Sequence, residues 1–268
     1  RMNLALHGVE NFAIARGDTL ERPAFIQSDR LRTFPIVLAN PPYSIKQWNR
    51  AAWEQDPWGR NFLGTPPQGR ADYAFFQHIL CSMDAATGRS AVLFPHGVLF
   101  RKEEAEMRRK LVEAALVECV LGLGPNLFYN SPMEACVVVC RSRKPAERQG
   151  RILFIDAVNE VTRERAQSFL REEHQQRILA AYHAFADEPS FARVATREEI
   201  AEQGYSLSIP LYVKRAQNGA GPRASEAATL PALWAEWEES GRAFWQEMDE
   251  LVVMLDGLVG ADLGDDNE

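Results

Sequence analysis

The sequence predicts an α/β protein with a doubly wound sheet, followed by a helical C-terminal region. Two observations carry this prediction. Short apolar runs alternate with longer amphipathic stretches up to about residue 156, as in sheets whose strands are connected by helices. Beyond that point the chain becomes more charged, and its apolar residues recur at helical spacing.

The elements of the first part are predicted one by one from these runs. Strands are expected at residues 12–15, 35–39, 90–94, 117–123 and 135–141, and helices at residues 71–86 and 102–116. Asp72 is expected to be the N-cap of the first helix, because its carboxylate can accept a first-turn N–H. Met107, Leu111 and Ala115 are expected on the inner face of the second. Asp18 and Asn40 follow two predicted strands, at the end where α/β sheets bind ligands.

The second part is predicted to contain three segments. Residues 157–217 form a helical extension with one long amphipathic helix over residues 163–186. Residues 218–222 contain two glycines and a proline and are predicted to be a linker. Over residues 229–259 apolar residues recur at alternating steps of three and four, which is the spacing of a heptad seam. This spacing favours a helix that binds a partner helix, and a helix packed on its own domain is the alternative.

Composition and charge limit the class of protein. With 46% hydrophobic and 25% charged residues, no membrane-length apolar run and no secretory signal, the sequence predicts a soluble cytoplasmic protein without a membrane partner. The net charge of −7 is uneven, because residues 141–151 carry five basic residues and one acidic residue. This basic run is interpreted either as a solvated loop or as a surface that contacts phosphates.

Neither the cysteines nor the histidines predict a metal site. Cys136 and Cys140 are four residues apart in a predicted strand, so they share a face but are too distant for a direct disulfide. We expect the cysteines to be buried hydrophobic thiols. The five histidines are isolated from one another in the sequence, and no pair of them indicates a catalytic base.

The most informative motif is the turn Asn40-Pro41-Pro42-Tyr43, which follows an apolar run typical of a short buried strand. Prolines lack a backbone donor, so the carbonyls near the turn stay free to accept hydrogen bonds, and the Asn40 carboxamide adds another acceptor. An exocyclic amine could be held there, and the Tyr43 ring could stack on a base lifted out of a duplex. From the tetrapeptide alone, an ordinary proline turn is the alternative.

Several further motifs occur with this turn in a fixed order. They are MNLALHG at residues 2–8, GDTL at 17–20, ADYAFFQH at 71–78, VLF at 98–100, GLGPNLFY at 122–129, and a weaker echo in YSLS at 205–208 and YV at 212–213. With these motifs the chain resembles the modification subunit of type I restriction-modification systems, a family of N6-adenine DNA methyltransferases. Gly124 departs from the family, which usually has proline at this position.

The resemblance implies a function for each residue of the turn. Asn40 and the Pro41 carbonyl would hold the N6 amine of the target adenine, and Pro42 completes the rigid turn. Tyr43 would stack on the flipped base. The loop after residue 124 resembles the family segment that places an aromatic ring against that base, and Phe128 is the candidate, with Tyr129 second.

The resemblance also implies a cofactor and partners. S-adenosylmethionine would donate the methyl group, with Asp18 accepting a hydrogen bond from its adenine amine and Asn40 also binding the cofactor. From the residues alone, an aspartate that closes a turn or caps a helix is the alternative for Asp18. DNA would be the substrate. The specificity and restriction subunits of a type I complex would be the protein partners, with the C-terminal helix packing on the specificity subunit.

The glycine-rich cofactor loop of the family precedes all of these motifs, and the sequence has no counterpart. Gly122 and Gly124 fall in the wrong place in the order and lack the strand-loop-helix context. Residues 1–156 are therefore predicted to be the C-terminal part of a Rossmann-like methyltransferase sheet, that is, a partial catalytic domain. Alone, this chain is expected to be inactive.

Three other functions remain open. A glutamine N5 methyltransferase acting on proteins also uses an Asn-Pro-Pro-Tyr turn, because it too holds a planar amide nitrogen. The heptad seam and the GDTL motif weigh against it. The second alternative is an RNA base methyltransferase, and the third is a non-catalytic assembly module.

Overall fold

A mixed sheet of six strands forms the centre of the protein in a computed structural model that describes residues 2–128, 132–165 and 167–214. The strands in chain order are β1 (Ile26–Gln27), β2 (Arg30–Leu31), β3 (Ile36–Ala39), β4 (Arg89–Pro95), β5 (Val117–Leu123), β6 (Ala135–Arg141), β7 (Arg151–Ala157), β8 (Thr162–Glu164), β9 (Gln167–Phe169) and β10 (Ala192–Thr196). The pairs β1-β2 and β8-β9 form two small separate hairpins, and the other six strands form the main sheet.

Six α-helices accompany these strands in the described part of the chain. They are α1 (Met2–Leu6), α2 (Arg50–Glu54), α3 (Asp72–Cys81), α4 (Ala105–Glu113), α5 (Glu172–Ala184) and α6 (Arg197–Glu202). Short 3-10 turns are formed by His96–Leu99, Lys102–Glu104, Ala146–Arg148 and Ile209–Leu211. The start of α6 is fixed by a capping box, in which Thr196 and Glu199 each accept the other's backbone N–H.

The order of strands across the sheet is β10-β7-β5-β6-β4-β3. Neighbours β3 and β4 are parallel, as are β5 and β7, whereas β6 and β10 run antiparallel to their neighbours. The carboxyl ends of β3 and β4 therefore meet at one edge of the sheet. Because Pro95 of β4 pairs with Ala135 of β6, the start of β6 lies at the same edge.

Helices cover both faces of this sheet. Alternate residues of β7 point to opposite sides, so that Ile152 and Phe154 pack with α3, α4 and α6, whereas Leu153 and Ile155 pack with α5. The prediction of a doubly wound α/β sheet is thereby confirmed. Cys136 and Cys140 both lie in the first of these two cores, on one face of β6 as predicted, and burial raises the pKa of each thiol to about 12.

Several predicted elements differ from the observed ones. Residues 12–15 form no strand, and this segment carries the exposed side chains of Phe12 and Ile14. The N-cap of α3 is Ala71, because the Asp72 carboxylate turns inward, where it is 1% exposed. Ala115 was predicted on the inner face of the second helix, but it is exposed. It follows the end of α4 and adopts a positive φ.

The region predicted to be a helical extension also departs from its prediction. The helix expected over residues 163–186 begins only at Glu172, because the chain first forms the hairpin of β8 and β9, with Arg165 in the left-handed region at its turn. Strand β10 then returns to the main sheet and pairs antiparallel with β7. The region predicted to be a helical extension thus contributes the last strand of the main sheet.

Strand β3 is an edge strand, contrary to the buried strand predicted for residues 36–39. It pairs with β4 on one side, and among the described residues no strand pairs with its other side. Ile36 is 59% exposed and Leu38 is 75% exposed, because their shared face is not covered by the described part of the chain. Strand β3 ends at Ala39, directly before Asn40.

Two predictions concern the remainder of the chain. The linker at residues 218–222 and the heptad seam at residues 229–259 lie outside the described residues, as does Tyr129. Within residues 2–128, 132–165 and 167–214, no helix is long and apolar enough to cross a membrane.

Candidate functional site

The Asn40 turn extends from the carboxyl end of β3, beyond the edge at which β3 and β4 both end. Asn40 is exposed, and its Oδ1 accepts a hydrogen bond of 2.9 Å from the Tyr43 hydroxyl. Burial, and then the neighbouring Cys136 and Asp72, raise the pKa of Tyr43 above its ordinary value. The hydroxyl therefore stays protonated and remains a donor to the asparagine.

An open pocket of about 380 Å³ lies against this turn. One wall of the pocket is the turn itself, Asn40, Pro41, Pro42 and Tyr43. The facing wall comes from the end of β4, the loop after β5 and the start of β6, and consists of Pro95, Phe128, Met133, Glu134 and Ala135. The structure thus brings Phe128 into the same pocket as Asn40 and Tyr43. The volume is in the lower part of the range of small-ligand pockets, roughly 300 to 1,000 Å³.

His96 fixes the wall of the pocket opposite the turn. Its Nε2 donates to the Ala135 carbonyl over 2.9 Å, which joins the residue after β4 to the first residue of β6. Sequence analysis did not select His96, Met133 or Glu134 as site residues. No motif indicated them, since their place in the site depends on the β4-β6 pairing.

Asp18 lies in a loop rather than at the end of a strand. Its Oδ1 accepts the backbone N–H groups of Leu20 over 2.9 Å and Glu21 over 3.1 Å, so that the carboxylate closes its own turn. The structure does not place Asp18 in the pocket with Asn40. The neighbouring residues Gly17 and Thr19 line a different pocket.

That second pocket has a volume of about 560 Å³ and lies between residues 11–34, β3 and α3. Val37 of β3 lines it, whereas Asn40 lines the first pocket, so the two pockets flank the same strand. Val37 and Asn40 are three positions apart in the sequence, a distance of roughly 10 Å in an extended chain. The loop that contains Asp18 thus lines a pocket beside the strand that leads to the Asn40 turn.

Arg60 holds the loop of Asp18 from inside the protein. Its side chain is 1% exposed, and its guanidinium donates to the carbonyls of Thr19 over 2.8 Å and Leu20 over 2.7 Å. The charge is balanced by Asp56, which is equally buried at 2.6 Å. Two indole rings flank the guanidinium at 4.6 Å and 4.9 Å, those of Trp53 and Trp58.

Several basic side chains of residues 141–151 form hydrogen bonds within the protein. Arg141 and Arg148 both donate to the buried carboxylate of Glu118, and the Lys144 ammonium donates to the Arg151 carbonyl. Arg141 pairs with Arg89 at the start of β4, so this run lies at the opposite edge of the sheet, roughly 20 Å from Pro95. These contacts favour a structural role for Arg141, Lys144 and Arg148.

The described residues contain no group of three or more histidine, cysteine or acidic side chains that could hold a metal ion.

Residues 1–219 match the protein-family model described as N-6 DNA Methylase. The chain belongs to the N-6 DNA methylase family. The match begins before the loop of Asp18 and includes the whole main sheet, so it covers both pockets.

Curated members of the N-6 DNA methylase family include close relatives of this chain. The MjaVII methylase subunit of a type I restriction enzyme from Methanocaldococcus jannaschii is 30% identical over 97% of this chain and 45% of its own length. The HindI methylase subunit from Haemophilus influenzae is 29% identical over 88% of this chain and 54% of its own length. The chain therefore spans about half the length of these two relatives.

Solved structures of type I restriction-modification subunits share the fold. The methyltransferase subunit of a type I restriction-modification system from Streptococcus thermophilus is 34% identical and superimposes with a TM-score of 0.73, over 79% of this chain and 45% of that subunit. The M protein of the type I enzyme EcoKI matches all of this chain and 60% of its own, at 21% identity and a TM-score of 0.58, which supports the fold alone. The resemblance to the modification subunit of type I systems is confirmed.

Proposed function

We propose that this chain carries the base-binding part of a site-specific DNA N6-adenine methyltransferase, the modification subunit of a type I system. That enzyme would transfer a methyl group from S-adenosylmethionine to an adenine flipped out of the duplex. The observation that carries the proposal is the pocket in which the acceptor Asn40 and the aromatic rings of Tyr43 and Phe128 line one space at the edge of the sheet. Membership of the N-6 DNA methylase family supports the same reaction.

The Asn40 carboxamide oxygen is suited to hold an exocyclic amine. An amide oxygen has two lone pairs, and the Tyr43 hydroxyl occupies one of them. The other can accept a hydrogen from N6, as can the carbonyl of Pro41. The N6 lone pair is delocalised into the adenine ring, so acceptors that favour a tetrahedral nitrogen stabilise the transition state more than the ground state. No enzyme nucleophile is needed.

Tyr43 and Phe128 would hold the ring of the same base. Each aromatic contact with a base contributes about 1 to 3 kcal/mol, which offsets the loss of stacking when the base leaves the duplex. Phe128 is half-buried, and Tyr43 is held by its bond to Asn40, so both rings are restrained before the base arrives.

Asp18 fits a role in holding the cofactor. Its Oδ1 is used by its own turn, whereas its Oδ2 accepts no hydrogen bond from the described residues and is free for an amine. S-adenosylmethionine, when bound, supplies the activated methyl group. The neighbours of Asp18, Gly17 and Thr19, line a pocket that is also lined by Val37 of β3, the strand that leads to Asn40. Arg60 fixes the backbone beside Asp18.

The proposal includes partners and a location. DNA is the substrate, and the specificity and restriction subunits of a type I complex are the protein partners. The seam at residues 229–259 would contact a helix of the specificity subunit. A DNA-modifying enzyme of this kind would work in the cytoplasm. On its own the 268-residue chain is proposed to be inactive.

The test uses the natural gene product that carries these residues, in complex with its specificity subunit, and labelled S-adenosylmethionine. We expect methyl transfer to N6 of adenine in DNA, and Asn40→Ala to lower kcat by about 10²-fold or more, since preorganised hydrogen bonds to a reacting group contribute on that order. The matched control is Asn49→Ala, which removes an exposed asparagine that caps α2 and should leave kcat unchanged.

Two results would overturn the proposal. Transfer of the label to RNA or to a protein glutamine, with none to DNA, would favour one of the other methyltransferase classes. Transfer to DNA at an undiminished rate by the Asn40→Ala variant would show that the amine is held elsewhere.

A further inference from the structure

The backbone directly after Tyr43 is held from inside the protein. The N–H of Ser44 donates to Oδ1 of Asp72 over 2.7 Å, across 28 residues of sequence. Asp72 is the first residue of α3, and 1% of it is exposed. Ser44 itself has a φ of +51°, a conformation that is unfavourable for a residue with a side chain and needs a stabilising contact. The Asp72 carboxylate provides that contact.

Arg101 holds the other oxygen of the same carboxylate. Its guanidinium donates to Oδ2 of Asp72 over 2.7 Å, and its side chain is 12% exposed. Oε1 of the buried Glu104 lies 3.5 Å from the same nitrogen, and the backbone carbonyl of Arg101 accepts a hydrogen bond of 2.7 Å from Arg108. Both the side chain and the backbone of Arg101 are therefore restrained, and with them the orientation of Asp72.

The space for this guanidinium depends on a glycine. Gly97 lies in the 3-10 turn that follows β4. A Cβ atom added to Gly97 would lie 2.4 Å from Nε and 2.6 Å from Nη2 of Arg101. Such distances are too short for any side chain, so alanine at this position would displace the guanidinium from Asp72. Pro95, two residues earlier, lines the pocket of the candidate site. The pair Asp72–Arg101 therefore connects the two walls of the site, at the ends of β3 and β4.

We propose that Asp72 and Arg101 are positioning residues that fix the Asn40 turn for methyl transfer, and this inference rests on the proposed function. They touch neither base nor cofactor. They hold Ser44, and the residue before it, Tyr43, is bonded to the Asn40 carboxamide. Displacement of a reacting group by about 1 Å can lower a rate by about 10²-fold, so a contact at the adjacent peptide has kinetic consequences.

Two substitutions test the pair from opposite sides. Asp72→Asn keeps an oxygen for Ser44 but presents an uncharged group to Arg101, and Gly97→Ala removes no charge but displaces the guanidinium. In the natural gene product with its specificity subunit, each should lower kcat by about tenfold to a hundredfold, with little change in KM for DNA. Each should also speed deuterium uptake in the peptide that covers residues 41–47.

The matched control is Glu118→Gln, which alters another fully buried carboxylate with arginine partners, at the opposite edge of the sheet. It should change neither kcat nor uptake at residues 41–47. If Asp72→Asn and Gly97→Ala behave like this control in both measurements, the inference is wrong. If the wild-type complex methylates no adenine, the proposed function fails, and the uptake at residues 41–47 alone then decides whether the pair holds the turn.

Discussion

Replacing Glu104 by glutamine should change how the stability of the protein depends on pH. The Glu104 side chain is fully buried, and within the described structure its Oε2 has no hydrogen-bond partner. Burial is the main reason that its pKa rises from an ordinary value of 4.5 to about 7, and the charge of Asp72 adds to the effect. Arg101, Arg108 and Arg70 oppose it without cancelling it.

The sign and size of the effect follow from these two pKa values. A raised pKa means that the folded protein keeps a proton that the unfolded chain loses, so the free energy of unfolding falls as pH rises from about 4.5 to about 7. The pKa values differ by about 2.5, and each unit corresponds to about 1.4 kcal/mol, which gives a loss of about 3 kcal/mol. Glutamine has no proton to lose. The stability of Glu104→Gln relative to wild type should therefore rise by about this amount across the same pH range.

Urea unfolding followed by circular dichroism at pH 5 and pH 8 measures the difference. Other titrating groups are common to both proteins and cancel, including His78, whose pKa is lowered to about 4 by burial and by Arg60. The control is Glu106→Gln, two residues along the chain, where a bond from Arg109 lowers the pKa of an exposed carboxyl below its ordinary value of 4.5. This carboxyl is ionised in the folded and the unfolded protein above pH 5, so the stability of Glu106→Gln relative to wild type should stay nearly constant from pH 5 to pH 8. A difference between Glu104→Gln and wild type that stays constant from pH 5 to pH 8 would refute the reasoning.

Two further predictions concern the loops of the site. Arg60→Met should lower the free energy of unfolding, measured by urea titration, by about 3 to 5 kcal/mol, because it leaves the Asp56 carboxylate buried without a cation. The control Arg109→Met, at an exposed arginine with two carboxylate partners, should change the free energy of unfolding little. Equal effects of the two substitutions would contradict the prediction. Tyr43→Phe removes the hydroxyl bound to Asn40, a bond worth about 1 kcal/mol, and should lower kcat/KM for DNA methylation about fivefold. Tyr43→Ala should lower it further because the ring is lost. Wild-type kinetics in Tyr43→Phe would mean that the hydroxyl does not orient the carboxamide.

The strands that were predicted correctly are those that can be recognised from the apolar residues of their own segment. Strands β5 and β6 are runs of apolar residues in the sequence, and they are observed where the runs occur. The segment at residues 12–15 has a similar composition but forms no strand, because a strand also requires a partner, and the described residues supply none. The return of β10 to the sheet likewise depends on pairing with β7, which periodicity does not encode.

The site was predictable in its chemical types but not in its contacts. The sequence singled out the Asn40 turn, the family resemblance selected Phe128, and the structure places both in one pocket. It suggested only a stacking ring for Tyr43, because the bond from its hydroxyl to Asn40 depends on how the turn bends. Asp72 was assigned to a helix cap on local grounds, whereas its carboxylate serves a backbone N–H 28 residues earlier in the chain.

The two loops of the candidate site are held in the same way, by buried charged side chains that donate to or accept from their backbone. Arg60 binds the carbonyls beside Asp18, and Asp72 binds the N–H beside Tyr43. These bonds are made to backbone groups, so the side chains of the loops do not reveal them in the sequence. The residues that make the bonds, Arg60 and Asp72, lie outside the two loops. Each of these charges is balanced by an oppositely charged side chain, the fully buried Asp56 or the partly buried Arg101, so that removing either member leaves the other uncompensated. The geometry of both loops should therefore be sensitive to substitutions at four positions that lie outside the turn and the loop themselves.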